Sequence, residues 1–279
     1  MDLIRKVKVH PLLWIIAGLG IVTGRFREML LLFCVIFIHE LGHAITAHYF
    51  SWRIRKIELL PFGGVASVDE HGNRPFREEL LVILAGPVQH LWMIAAALVA
   101  NHLQLWDGYY YELFILHNFM ILLFNLLPIW PLDGGKLFFL LCAWYVPFKR
   151  AYTTSLLFSL VFLAAFSFIS TSLFPNHLNL WIIILFLLFC LYTEWKQRSI
   201  VFLRFLLERY KKDTNSQRNK TITVSGETRL KDVLALFYKG SDHYIIIQKE
   251  EHHPIPEKKL LRAFFKERKL LCAVQTLLR

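Results

Sequence analysis

Residues 30–47 read LLLFCVIFIHELGHAITA, an apolar run whose ionisable residues are His39, Glu40 and His43. A bilayer core of about 30 Å takes roughly 20 apolar residues as a helix. With its flanks, Met29–Phe50, the run is long enough to span one. Ionisable groups at such depth are costly, about 2.5–3.5 kcal/mol for a carboxylate on insertion scales, and they mark function. The rest of the chain agrees with a membrane setting. Its 279 residues are 56% hydrophobic and 19% charged, where a soluble domain has about 45–50% and about 25%. Disorder, a coiled coil and a disulfide scaffold are excluded. The net charge of +11 is unevenly placed: residues 1–195 carry 13 Lys+Arg and 12 Asp+Glu, and residues 196–279 carry 19 and 9. An apolar, nearly neutral front therefore precedes a basic tail.

Six stretches qualify as spans: Pro11–Thr23, Met29–Phe50, Leu80–Ala100, Leu113–Trp144, Thr153–Phe174 and Leu180–Trp195. The first is short, and the fourth is long and broken. Lys and Arg gather in the N-terminal arm, the Ser51–Glu79 loop, the Lys149-Arg150 turn and the tail. The Asn101–Glu112 and Pro175–Asn179 loops have none. A six-span arrangement places all the basic segments on one side, with only Arg25 and Arg27 against the rule, so both termini are expected in the cytoplasm. The N-terminal run lacks a small-residue cleavage site and reads as a retained span. Cys34, Cys142, Cys190 and Cys272 have no CxxC spacing and read as packing residues.

Within the Ser51–Glu79 loop, Ile57–Leu60 and Val65–Val68 are apolar and β-prone around Pro61-Phe62-Gly63-Gly64, which predicts a short hairpin dipping into the membrane. The Ile57–Val68 hairpin either pairs an edge with an extended substrate, which changes at Ile57–Leu60 would test, or plugs the zinc cavity. After the last span, Gln197–Tyr210 alternates apolar residues with Arg198, Arg204 and Arg209. It reads as an interfacial helix or as a linker helix packed on the tail. Strands are expected at Thr221–Val224 and Tyr244–Gln248, and helices at Leu230–Lys239 and Leu260–Arg268. The expected architecture is an all-α polytopic membrane domain (1–196) with a membrane-embedded hairpin, a basic linker (197–219) and a small α/β module (220–279).

His39 and His43 stand four residues apart, on one face of a helix and about 6 Å apart along its axis. Two imidazoles so placed can share one zinc ion, and Glu40 between them can take a proton from a water. Catalytic zinc takes a third protein ligand. The broken fourth span offers Asn125-Leu-Leu-Pro128-Ile-Trp-Pro131-Leu-Asp133-Gly134-Gly135, where the prolines and glycines free the backbone to place the Asp133 carboxylate. His48 is a rival ligand near the end of its span. His90, His102 and His117 read as packing or boundary residues.

HExxH in one span with Asn-x-x-Pro-x-x-x-x-Asp-Gly in a later one resembles the site-2 protease family of intramembrane zinc metalloproteases. Gly86-Pro87 fits the element between them. The resemblance covers about residues 10–195. It implies zinc on His39, His43 and Asp133, Glu40 as general base, and Asn125 holding substrate or the developing oxyanion. More narrowly, Leu59–Gly64, Glu70–Pro75, Asn125–Lys136 and Arg204–Tyr210 look like the sporulation branch of that family. That likeness implies cleavage of a sporulation sigma factor precursor (pro-sigma-K) at its N-terminal pro-segment, in the mother-cell membrane around the forespore, under restraint by two inhibitory membrane proteins. The tail is similar to a single CBS domain, which implies ATP as a candidate ligand and a second copy of the chain as a candidate partner.

The mechanism requires water at mid-membrane and so a polar cavity open to the cytoplasm. Two other functions compete: a metal-binding transporter, and a non-catalytic regulatory membrane protein. A transporter favours internal repeats and polar groups in several spans, and neither is evident. The basic tail has no recognition motif or aromatic platform for nucleic acid. Anionic lipid or an acidic protein suits it better.

Overall fold

The computed structural model describes residues 7–9, 18, 20–52, 54–60, 63–68, 73–173, 176–211, 218–248, 254–269 and 272–277, with the backbone alone at 7–9, 54–60 and 63–68. In chain order the elements are β1 (Val7–Val9), α1 (Phe26–Tyr49), β2 (Ile54–Leu60), β3 (Gly63–Val68), α2 (Phe76–His102), α3 (Gly108–Asn125), α4 (Asp133–Tyr145), α5 (Phe148–Leu173) and α6 (Leu178–Lys211). The tail follows with β4 (Asn219–Val224), α7 (Leu230–Leu234), β5 (Asp242–Ile247), β6 (Ile255–Pro256), α8 (Glu257–Phe265) and a final 3-10 turn, Val274–Leu277.

Helices α1, α2, α5 and α6 are each long and apolar enough to cross a bilayer, with mean hydropathy between 1.8 and 2.1. The chain is a polytopic, mostly α-helical membrane protein with a small sheet. Its helices are inside-out by soluble standards. On α1 the buried residues are Val35, Ile36, His39, Glu40, Gly42, His43, Ala44 and Ala47, a stripe at the spacing of one helix face. Phe37 and Ile45, off that stripe, are exposed, as are Leu91, Val161 and Phe189 on other helices. Large apolar side chains outside and polar ones within is the distribution a lipid solvent selects.

Most of the first expected span, Pro11–Thr23, lies outside the described residues. The fourth, Leu113–Trp144, is two helices, α3 and α4, joined by residues 126–132 with a cis Trp130–Pro131 bond. Pro128 and Pro131 in quick succession deny the backbone its helical ladder. Serines of α5 satisfy it instead. Ser159 Oγ accepts from the Trp130 N–H at 3.2 Å and lies 3.3 Å from the Pro128 carbonyl, while the Trp130 indole N–H donates to Ser155 Oγ at 3.2 Å. Irregular backbone at membrane depth persists only when protein supplies such partners.

The hairpin forms, with Ile57 opposite Ala66 and Glu58 opposite Val65. It is longer than expected, and β2 is its central strand: β1 pairs with β2 in parallel, Val7 opposite Ile57 and Val9 opposite Leu59. Ile57–Leu60 is therefore not an open edge. Among the described strands of this sheet, the edges are β1 and β3.

In the tail, β4 and β5 are parallel, and β6 is antiparallel to β5. The expected helix over Leu230–Lys239 is only α7, because the chain turns through Phe237–Gly240, where Gly240 has φ +65°. The Phe237 carbonyl in that turn accepts from the N–H of Phe148 at 2.9 Å. Residues 197–211 continue α6 without a break, and Phe205, Leu206 and Arg209 on it are buried against the tail. Packing on the tail thus describes this stretch better than lying flat on a leaflet. One apolar cluster runs from Phe139, Phe148 and Leu156 through Phe205 and Leu206 to Leu230, Phe237, Ile245 and Leu260.

Candidate metal centre

The site is built where α1, α2 and α4 meet. Small residues permit the approach. A Cβ on Gly42 would lie 2.6 Å from the Ala85 carbonyl oxygen, and one on Gly86 would lie 2.2 Å from His43 Nε2 and 2.7 Å from His39 Nε2. Only a residue without a side chain lets α2 pass under the two imidazoles. Asp133 is the first residue of α4. A Cβ on Gly134 would lie 2.2 Å from the Leu126 carbonyl oxygen, and one on Gly135 would lie 2.6 Å from the Ile129 carbonyl carbon. The double glycine lets the 126–132 segment fold back over the first turn of α4, which aims Asp133 at α1.

The resulting cluster is tight. His39 Nε2 and His43 Nε2 are 3.1 Å apart, and Asp133 Oδ2 is 3.1 Å from the first and 2.9 Å from the second. All three residues are at least nine-tenths buried. Lys136, one turn along α4, donates to the other oxygen, Oδ1, at 3.0 Å, which leaves Oδ2 to the imidazoles. Among the described residues, His39, His43 and Asp133 form the one group placed to hold a metal ion.

The donors themselves test whether zinc fits. His43 Nδ1 is 2.7 Å from the Val82 carbonyl oxygen. A carbonyl only accepts, so Nδ1 carries a proton, and in the neutral ring that zinc binding requires the Nε2 lone pair faces Asp133 and His39. Lone pairs and a carboxylate oxygen thus converge on one point, which is unfavourable unless a cation lies between them. Zinc takes nitrogen and oxygen donors at about 2.0–2.2 Å in a tetrahedron, spacing them about 3.3–3.6 Å apart. The observed spacing is close to that, so the set fits.

The sequence profile of peptidase family M50 matches residues 28–106 and 102–167. The chain belongs to this family. It is similar to the stage IV sporulation protein FB of Bacillus subtilis (strain 168), 42% identical over 281 residues, covering 100% of this chain and 98% of that protein. A zinc metalloprotease of Methanocaldococcus jannaschii is 39% identical over 132 residues, 44% of this chain and 37% of that protein. Among solved structures, the site-2 protease from Methanocaldococcus jannaschii aligns with a TM-score of 0.55 at 26% identity, covering 67% of this chain and 89% of that one. This M50 protein is therefore a zinc metalloendopeptidase of the site-2 type, and its His/His/Asp triad is the feature that suggests zinc.

The structure places the remaining candidate residues as follows. Glu40 is buried on α1 next to His39. Asn125, at the end of α3, is half-buried, and its Nδ2 donates to the Ile121 carbonyl one turn back at 3.0 Å; that bond stays within its own helix. His48 and His102 are exposed, and His117 is half-buried outside the cluster. Read as packing in the sequence, His90 is fully buried, with Nε2 3.0 Å from His39 Nδ1 and Nδ1 3.0 Å from Asn118 Oδ1. One signal was available: His90 follows Gly86 by four residues and so shares its helix face. Lys136 and Asn118 carried no comparable signal.

Proposed function

We propose that this chain is an intramembrane endopeptidase that removes the N-terminal pro-segment of a membrane-associated sporulation sigma factor precursor. The observation that carries the substrate is the end-to-end similarity to a sporulation protein of Bacillus subtilis, tail included. The cluster of His39, His43 and Asp133 supports the chemistry. In this reading these three residues hold zinc, one ion per chain. A zinc ion there supplies a Lewis acid that polarises a carbonyl and acidifies a water. Glu40 accepts the proton of the attacking water and passes it to the leaving amine. Lys136 keeps one Asp133 oxygen occupied and thereby orients the other. Asn125 is the candidate to hold substrate or oxyanion, for which its amide must leave the Ile121 carbonyl.

The remaining features belong to the same reading: six spans, both termini in the cytoplasm, location in the mother-cell membrane around the forespore, and restraint by inhibitory membrane proteins. The membrane domain covers 1–196, the linker 197–219 and a CBS-like module 220–279. The parallel β4–β5 pair with α7 and α8 is compatible with that module. Nucleotide binding and self-association of the tail rest on the resemblance alone. The deciding experiment is coexpression of the full chain with a candidate sigma factor precursor. Wild type is expected to yield the shortened product and Glu40→Gln none. An uncut substrate with wild type, or equal cutting by Glu40→Gln, overturns the proposal.

A further inference from the structure

Three helices contribute to a chain of hydrogen bonds that ends on His39. Asn118, fully buried on α3, donates from Nδ2 to the Phe114 carbonyl at 2.8 Å. Its Oδ1 therefore faces His90 and can only accept. The contact at 3.0 Å then requires the proton of His90 to sit on Nδ1. His90 is fully buried on α2, and its ring contacts are an amide and an imidazole. With Nδ1 as the donor to Asn118, the lone pair of the neutral ring is on Nε2. That lone pair lies 3.0 Å from His39 Nδ1. His39 must donate to it from Nδ1, so the lone pair of the neutral ring is on Nε2, turned toward His43 and Asp133. Each donor in the series meets one acceptor, starting from a backbone carbonyl that cannot change role.

We infer that His90 and Asn118 are positioning residues: through the Phe114 carbonyl, Asn118 and His90 they hold His39 in the one tautomer that can bind zinc. His43 needs no such relay, because the Val82 carbonyl sets its tautomer directly. The two ligands on α1 are therefore controlled from different places, His43 by the backbone of α2 and His39 by side chains of α2 and α3. Partners of this kind commonly contribute 10–100-fold in metal affinity. The inference rests on the zinc reading of the triad.

The test is zinc affinity of the purified full chain in detergent, measured by competition with a chromophoric chelator, with zinc alone as the probe. His90→Leu removes the acceptor and should weaken zinc by about 10–100-fold. His90→Gln restores the pattern, since its Oε1 can accept from His39 while its amide donates to Asn118. It should recover most of the affinity, which a purely space-filling role would not produce. Equal affinities for the Leu and Gln variants overturn the inference. If His90→Leu does not fold, Asn118→Ala keeps both rings and reads the same relay: wild-type affinity there also overturns it. Failure of wild type to bind zinc would instead defeat the triad reading itself.

Discussion

Glu40, between the two histidines on α1, is expected to act on protons and not on metal. Glu40→Gln should keep stoichiometric zinc, measured by elemental analysis, while hydrolysis falls by about 10²–10⁴-fold, the usual contribution of a general base. Gly86 should behave in the opposite way. Its added Cβ would meet His43 Nε2 at 2.2 Å, and both rings are pinned at their far nitrogens, so neither can swing aside. Gly86→Ala is expected to lose bound zinc and, with it, activity. If Gly86→Ala retains one zinc per chain, the close passage of α2 beneath the imidazoles is not required.

At the level of elements, the decisive one is the break between α3 and α4. Asp133 reaches α1 because residues 126–132 fold back, and they can fold back because α5 accepts and donates where the helix ladder is missing. Ser159→Ala would leave the Trp130 N–H without its partner at membrane depth, costing about 1–3 kcal/mol. Its expected signature is a lower thermal midpoint in detergent with Glu40 and the triad unaltered. An unchanged midpoint would mean that water or lipid headgroups serve that backbone. The sheet carries a second lesson. Two β-prone runs around Pro-Phe-Gly-Gly were enough to announce β2 and β3. Nothing in Val7–Val9 announced β1, because a three-residue strand is defined by what it pairs with.

For the whole molecule, the question is how the tail is attached. Arg209 of α6 donates from Nη2 to Glu257 at 2.8 and 3.0 Å and also reaches the Ser241 carbonyl. Lys239 pairs with Glu79 at the start of α2, and the Arg218 guanidinium lies 3.8 Å over the Trp144 ring. Arg209 is 1% and Glu257 6% exposed. Arg209→Ala takes the cation from a buried carboxylate, leaving it only its His243 bonds, and should cost up to about 3–5 kcal/mol, seen as protease cleavage of the tail ahead of the helices. Acid should loosen the same joint. Burial holds the His243 imidazole below its ordinary 6.5, against its hydrogen bond to Glu257. The folded tail thus binds fewer protons than the unfolded chain, and this contribution is complete above pH 6.5 and fades as the pH falls from there. Burial alone would raise Glu257, but the His243 hydrogen bond and the Arg209 charge bring it below 4.5. Its contribution holds above that value and is lost as the pH drops through the lower one. Thermal midpoints from pH 8 to pH 4 should decline, and His243→Gln should flatten the upper part of that decline.

Much of this protein was readable before any coordinates. Long apolar runs have one low-energy answer in lipid, so the membrane helices followed from composition. The i, i+4 spacing of His39 and His43 is intrinsic to a helix, and Pro128 and Pro131 before Asp133 forbid a straight one. What remained belonged to distances between helices. The meeting of Asp133 with the two imidazoles, the passage of Gly86 beneath them, the relay through His90 and Asn118, and the pairing of β1 with β2 join residues far apart in the chain. Such contacts leave no local period or propensity, because they exist only once the helices have packed. The docking of the tail through Arg209 is of the same kind: an arginine on a helix reads as solvated until a buried glutamate is brought opposite it.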